Sequence, residues 1–175
     1  NVATVGFIGK YMQTGIPLIE KRITVDGGAV TTPRNLLAPL GTPIYKIIEA
    51  CGGYKEKPAK ILMGGPMMGR AIYHDGKPLI KNNNAILALT EKEAFIEWES
   101  PCINCGRCIR ACPTNLMPVL LNRAYYNNDF MEMKRLNVQA CIGCGCCSYV
   151  CPSKRMLNMV HSLGKSKLKE MEKKQ

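Results

Sequence analysis

A chain of 175 residues that is 46% hydrophobic can bury a core, as one domain or two small ones, and has no apolar run near the about 18 residues of a membrane span. Ten cysteines with no secretory leader point to a reducing compartment and metal, and argue against disulfides. The net charge of +11 suits an acidic protein partner, an anionic lipid surface or nucleic acid, but seven Tyr, three Phe and one Trp come with no nucleic-acid motif, which leaves an acidic electron carrier as the economical partner.

The sequence opens on Asn1 without a charged-then-apolar leader, and the expectation is a piece of a longer protein. Residues 1–17 read as a connecting helix. Val2, Val5, Ile8 and Met12 fall at helical steps, Gly15 and Pro17 stop the helix, and its stripe is expected to pack on a preceding domain.

Residues 18–90 read as a small α+β domain of β-grasp type. Residues 22–25 (R-I-T-V) are β-prone, Asp26-Gly27-Gly28 signals a turn, and 29–32 is expected to return as the second strand. Thr42 is expected to cap a helix with Pro43 at its first position, a buried stripe of Ile44, Ile47, Ile48 and Cys51, and an end at Gly52-Gly53. Cys51 is then a small buried hydrophobe. Lys60–Met63 and Ala85–Leu89 read as further strands. The loop G-G-P-M-M-G (64–69) lacks the ending of a P-loop and the spacing of a dinucleotide fingerprint; a tight turn whose methionines pack on a neighbour is preferred. His74 reads as part of a surface turn and His161 as a structural helix residue.

Residues 91–175 read as an α-helical ferredoxin domain. A short helix over 91–99 leads in from a boundary near Thr90. Two motifs then repeat the spacing C-x2-C-x2-C-x3-C-P: Cys102, Cys105, Cys108 and Cys112 before Pro113, and Cys141, Cys144, Cys147 and Cys151 before Pro152. That run holds [4Fe–4S] clusters. A zinc ribbon would need paired knuckles with a long gap, and disulfides would need export. In two-cluster ferredoxins the fourth cysteine of each run serves the other cluster. Carried over, this assigns Cys102, Cys105, Cys108 and Cys151 to one [4Fe–4S] cluster, and Cys141, Cys144, Cys147 and Cys112 to a second. Cys146 interrupts the second motif; only Cys147 keeps both steps, so Cys146 reads as a spare thiol. Each loaded site would carry a charge of about 2−, which brings +11 to about +7.

Between the motifs, Leu116, Val119, Leu120, Ala124, Met131 and Leu136 fit helices broken at Asn127-Asn128-Asp129. Met156, Leu157, Val160 and Leu163 continue a stripe after the second. Residues 154–175, rich in Lys and Arg, read as a solvated, partly frayed helix end. Gly106, Gly143 and Gly145 are expected to let the backbone aim N–H groups at sulfur, and Arg107 and Arg110 to favour reduction of the first cluster. With no nucleophile or acid–base pair beside them, two adjacent one-electron sites read as a relay, with no catalytic site in this chain beyond electron transfer.

R-I-T-V-D-G (22–27), L-G-T-P (40–43), G-G-P-M-M-G (64–69) and the two cysteine motifs occur here in the order of one family. The sequence resembles the C-terminal part of the RnfC family, a component of the Rnf ferredoxin:NAD⁺ oxidoreductases of prokaryotic membranes. The resemblance implies an SLBB (soluble-ligand-binding β-grasp) domain over about 19–89. It also implies FMN and NADH in an upstream domain, and other subunits of a membrane-bound, Na⁺- or H⁺-translocating complex. An acidic ferredoxin or flavodoxin is a further expected partner. The chain would then be a peripheral relay on the cytoplasmic face of the membrane, with no nucleic acid bound. A cobalamin reductase of bacterial microcompartments, or an interaction module with structural clusters, are the alternatives.

Overall fold

The structure is a computed structural model that describes residues 2–173. It forms two compact units that divide between Phe95 and Ile96.

The first unit opens with α1 (Val2–Thr14), closed by Gly15 at φ +67, whose N–H bonds the Tyr11 carbonyl. The stripe is formed as the periodicity predicts, but it lies open: Val2 is 89% and Met12 81% exposed. Residue 1 of the expected helix lies outside the described residues.

A five-stranded sheet follows: β1 (Glu20–Asp26), β2 (Arg34–Pro39), β3 (Lys60–Met63), β4 (Arg70–Ile72) and β5 (Ala85–Leu89). Its order is β2-β1-β5-β3-β4, with β1 and β5 parallel and the other pairs antiparallel. Strand β1 alternates as a half-buried strand must, with Ile23 and Val25 inside and Arg22 and Thr24 outside. Helix α2 (Ile44–Glu49) brings Ile44, Ile47, Ile48 and, past its end, Cys51 against Ile23, Val25, Ile86 and Ala88. One helix laid on this mixed sheet is the β-grasp arrangement read from the sequence.

Three local expectations are corrected. The second strand is Arg34–Pro39, paired from Glu20↔Pro39 to Val25↔Arg34. Residues 29–32 go instead to other partners: the amides of Ala29, Thr31 and Thr32 bond the carbonyls of Ala88, Gly53 and Cys51. Thr42 does not cap α2, because its hydroxyl donates back to the Pro39 carbonyl at 2.8 Å and Pro43 takes the cap position. The 64–69 loop is the tight turn of the β3–β4 hairpin, but Met67 and Met68 stay exposed.

Helix α3 is shorter than expected, Glu91–Ala94, and stays with the first unit. Thr90 and Glu93 form a capping box, and the Glu93 carboxylate also accepts the Gly28 N–H at 2.9 Å. Backbone hydrogen bonds from Thr90 and Gly28 hold that carboxyl below the usual range. Thr90→Ala is expected to cost about 1 kcal/mol in urea denaturation. Its effect should shrink as pH falls through the lowered pKa of Glu93, because the Thr90 hydroxyl also donates to that carboxylate, at 3.1 Å, and this charge-assisted bond is lost on protonation. An effect that is flat with pH would show that only the Glu93 N–H bond to the Thr90 hydroxyl contributes.

The second unit holds α4 (Arg107–Arg110), α5 (Pro118–Tyr126), α6 (Phe130–Arg135), a 3₁₀ turn at Val138–Ala140, α7 (Cys146–Tyr149) and α8 (Leu157–Glu172). It has no strand among the described residues. The break falls where the sequence placed it: Asn128 is left-handed at φ +57, and the Asp129 carboxylate accepts the Glu132 N–H at 2.8 Å. The break also resets the helical phase, so Met133 is buried and Met131 exposed. Leu116, Leu121, Ala124, Met133, Val138 and Leu168 form the core. Helix α8 packs Leu157, Val160, His161, Gly164 and Leu168 inward and runs to Glu172, which pairs with Lys134 at 3.0 Å. That is more order than the expected frayed end; residues 174 and 175 lie outside the described residues. No described helix is long and apolar enough to cross a membrane.

Candidate iron–sulfur centres

The two cysteine motifs repeat in backbone as well as in sequence. Asn104 and Gly143 are left-handed at φ +53 and +69, and Gly106 and Gly145 at +70 and +81. Asn115 and Lys154, three residues past the last cysteine of each motif, both stand at φ +53. The left-handed Gly106 and Gly145 turn the chain into the short helices α4 and α7, which carry Cys108 and Cys147. A side chain at either φ would be strained, and this is the reason for glycine there.

Two cavities result, and each is lined from both motifs. Cys102, Cys105 and Cys108 share one with Cys151, walled by Ile109, Val119, Leu157 and Arg155. Cys141, Cys144 and Cys147 share the other with Cys112, walled by Leu116, Pro118, Asn158 and His161. Around these walls no three described Cys, His, Asp or Glu side chains close on one point where a single ion would sit. A cubane takes one thiolate at each iron corner, so thiols spread round a wall suit it.

The sulfurs meet backbone donors. The Asn104 N–H points at Cys102 Sγ at 3.4 Å and the Leu116 N–H at Cys112 Sγ at 3.3 Å. Burial works to raise the Cys112 thiol, but hydrogen bonds from Thr114 and Leu116 outweigh it and hold the thiol below its ordinary value. Burial raises Cys108, and pushes Cys147 up to about 11. A bare thiolate is therefore disfavoured at those two positions, and a cationic core is the counter-charge that would favour it. Four thiols, apolar walls and amide donors at sulfur fit a [4Fe–4S] group in each cavity.

The remaining expected residues fall around these sites. Cys146 begins α7 beside Cys147 and lines neither cavity; a hydrogen bond with the Cys144 thiol, its largest influence, raises it. Arg107 and Arg110 are exposed on α4, and the Arg110 guanidinium donates to the Cys105 carbonyl at 3.3 Å. Cys51 is buried in the first unit and His74 is exposed there.

Three residues at the sites escaped the sequence reading. His161 is 1% exposed, with Nε2 donating to the Pro118 carbonyl at 3.2 Å and Nδ1 3.9 Å from Cys141 Sγ. Burial holds its imidazole below the usual histidine range. Lys165 Nζ donates to the Cys141 carbonyl at 2.8 Å. Arg155 stands on the wall of the first cavity, and its guanidinium donates to the Asn122 side-chain oxygen at 2.8 Å. The available signal for His161 was its place on the α8 stripe, where an apolar residue would be routine.

Residues 22–71 match the SLBB domain family, and residues 95–152 match the 4Fe-4S dicluster domain family. The C subunit of the proton-translocating ferredoxin:NAD(+) oxidoreductase complex of Clostridium ljungdahlii is 42% identical over 77% of this chain and 29% of its own length. The C subunit of the ion-translocating oxidoreductase complex of Rhodobacter capsulatus is 42% identical over 74% of this chain and 25% of its own. The C subunit of the Na(+)-translocating ferredoxin:NAD(+) oxidoreductase complex of Acetobacterium woodii is 39% identical over 73% of this chain and 28% of its own. The chain spans between a quarter and three tenths of these relatives. An SLBB domain followed by a 4Fe-4S dicluster domain, with this identity across both, makes the chain a homologue of the RnfC component of ion-translocating oxidoreductase complexes.

Proposed function

We propose that the two cavities hold [4Fe–4S] clusters in crossed fashion, with ligands Cys102, Cys105, Cys108 and Cys151 for one and Cys112, Cys141, Cys144 and Cys147 for the other. The chain then carries electrons inside an ion-translocating ferredoxin:NAD⁺ oxidoreductase complex. The observation behind this reading is the fourth thiol that each motif contributes to the cavity of the other. Such a cluster, when bound, takes up or releases one electron at a time, usually at low potential. The protein's part is to hold and bias it. Eight thiolates would fix the two sites, the amides of Asn104 and Leu116 bond sulfur, and Leu116, Pro118, Val119 and Leu157 form the apolar part of the walls.

The wider setting follows from the relatives. In it, FMN and NADH bind to parts of the full-length protein outside these residues. Other subunits of a membrane-bound complex surround the chain at the cytoplasmic face, where it sits peripherally. An acidic ferredoxin or flavodoxin is the soluble carrier that its positive charge would suit. Relatives named for protons and for Na⁺ match at 42% and 39%, so this region does not distinguish the translocated ion.

Anaerobic reconstitution with iron and sulfide is expected to load about eight irons per chain and, after dithionite, to give the EPR signal of reduced [4Fe–4S] centres. Cys146→Ser is expected to keep all of them. A chain that loads iron but shows no reducible centre would overturn the relay, and a fall to about four irons in Cys146→Ser would make Cys146 a ligand.

A further inference from the structure

The near-equivalence of the two cavities makes their differences informative. Each wall carries a residue four positions past the last cysteine of the opposite motif. In the first cavity it is Arg155; in the second it is Leu116. Two positions after the second cysteine stand Arg107 in the first motif and Cys146 in the second. Two positions after the third cysteine stand Arg110 and Tyr149. Three guanidinium groups thus accompany the first cavity at places where the second has none.

Arg155 matters most, because it is half-buried and on the wall itself. Its hydrogen bond goes to the neutral Asn122 amide, so the charge is not spent on a carboxylate there. Of the other charges nearby, Lys154 pairs with Glu97 at 2.9 Å, and Glu99 accepts the Met156 N–H. No Lys or Arg lines the second cavity among the described residues; Lys165 lies outside its lining and bonds the Gln139 and Cys141 carbonyls. The second cavity has His161, whose Nε2 is engaged by Pro118. Exposure acts in the same direction as the arginines. Cys102 and Cys105 are exposed, whereas no cysteine of the second cavity is. Water and fixed positive charge both favour the more negative of two redox states.

We propose that Arg155 sets the site of Cys102, Cys105, Cys108 and Cys151 at a higher reduction potential than the site of Cys112, Cys141, Cys144 and Cys147. A single electron shared by the two sites then rests on the first, the one with exposed cysteines. Arg155 is a positioning residue in this: it acts by charge on the cavity wall and binds no iron. The inference rests on the two-cluster reading above. Its redox step is the uptake of one electron from dithionite, with no bond made or broken.

The test is a redox titration of the anaerobically reconstituted chain, followed by EPR, with iron counted in each sample. Two separate midpoints are expected. Arg155→Gln should lower only the higher one, by a tenfold change in its reduction equilibrium, about 59 mV for a one-electron couple. Arg155→Lys, which keeps the charge, should leave it near its original place. Coincident midpoints in the unaltered chain would overturn the proposal, as would an Arg155→Gln variant with full iron that shifts both midpoints alike or neither. If Arg155→Gln loses iron, Arg155→Met decides: with full iron it should lower the same midpoint by a similar amount, and no shift overturns the proposal. Failure of the unaltered chain to load iron would instead overturn the two-cluster reading itself.

Discussion

Cys112→Ser is expected to remove half of the iron, and to remove it from the motif that Cys112 does not belong to. The Cys112 thiol lines the cavity of Cys141, Cys144 and Cys147. Its loss leaves that cavity with three thiols and the other with four. Iron per chain should therefore fall from about eight to about four. Double replacements identify the surviving site. With Cys141→Ser added, the count should stay near four, because both changes strike one cavity. With Cys105→Ser added, it should approach zero, because each cavity has lost a thiol. Residues that act as one unit are non-additive and residues of separate units add. The reverse pattern, with Cys105→Ser the silent partner of Cys112→Ser, would show that each motif holds its own cluster.

A second large effect is expected at Gly27→Ala, far from any cysteine of the motifs. Gly27 opens the turn after β1 at φ +111, and a Cβ there would run into the Ala88 backbone carbonyl. That carbonyl already accepts the Ala29 N–H at 3.1 Å, so it cannot move aside freely. The left-handed strain and the backbone clash together should cost about 3 kcal/mol or more. Urea denaturation followed by far-UV circular dichroism would measure the loss. The cluster absorption of the second unit serves as an internal control and should be unchanged in native buffer. A cost below about 1 kcal/mol would mean that the turn rearranges around the new methyl group.

Much of the architecture could be read without coordinates, for reasons that differ by element. Lys60–Met63 and Ala85–Leu89 were found because short apolar runs bounded by turn residues have few other uses. Helix α2 was found because Ile44, Ile47, Ile48 and Cys51 keep one helical face. The misread second strand shows the limit of that logic. Residues 29–32 are apolar and β-branched, and Ala29 and Val30 are indeed buried, yet the amides of Ala29, Thr31 and Thr32 bond β5 at Ala88 and the turn after α2 at Gly53 and Cys51, not β1. The true partner, Arg34–Pro39, ends in a proline, which an edge strand tolerates. At the candidate sites the cysteine spacing announced the chemistry, because few other uses demand it. Arg155 and His161 were hidden, because each acts on a wall formed by residues far away in sequence. Spacing reveals which residues share an element, not which elements share a cavity.

The exchange of the fourth thiols also bears on the order in which such a chain can mature. A polypeptide emerges from its N-terminus, and early parts of a protein commonly fold before later parts exist. The first cavity takes three thiols from the earlier motif, but it also needs Cys151, the last cysteine in the sequence. The second needs Cys112 from the earlier motif and three thiols from the later one. With the pairing proposed above, neither site is complete until Cys147 and Cys151 have been synthesised. Iron and sulfide would then be delivered to both sites after the second motif has left the ribosome, and a chain truncated between the motifs would hold neither centre.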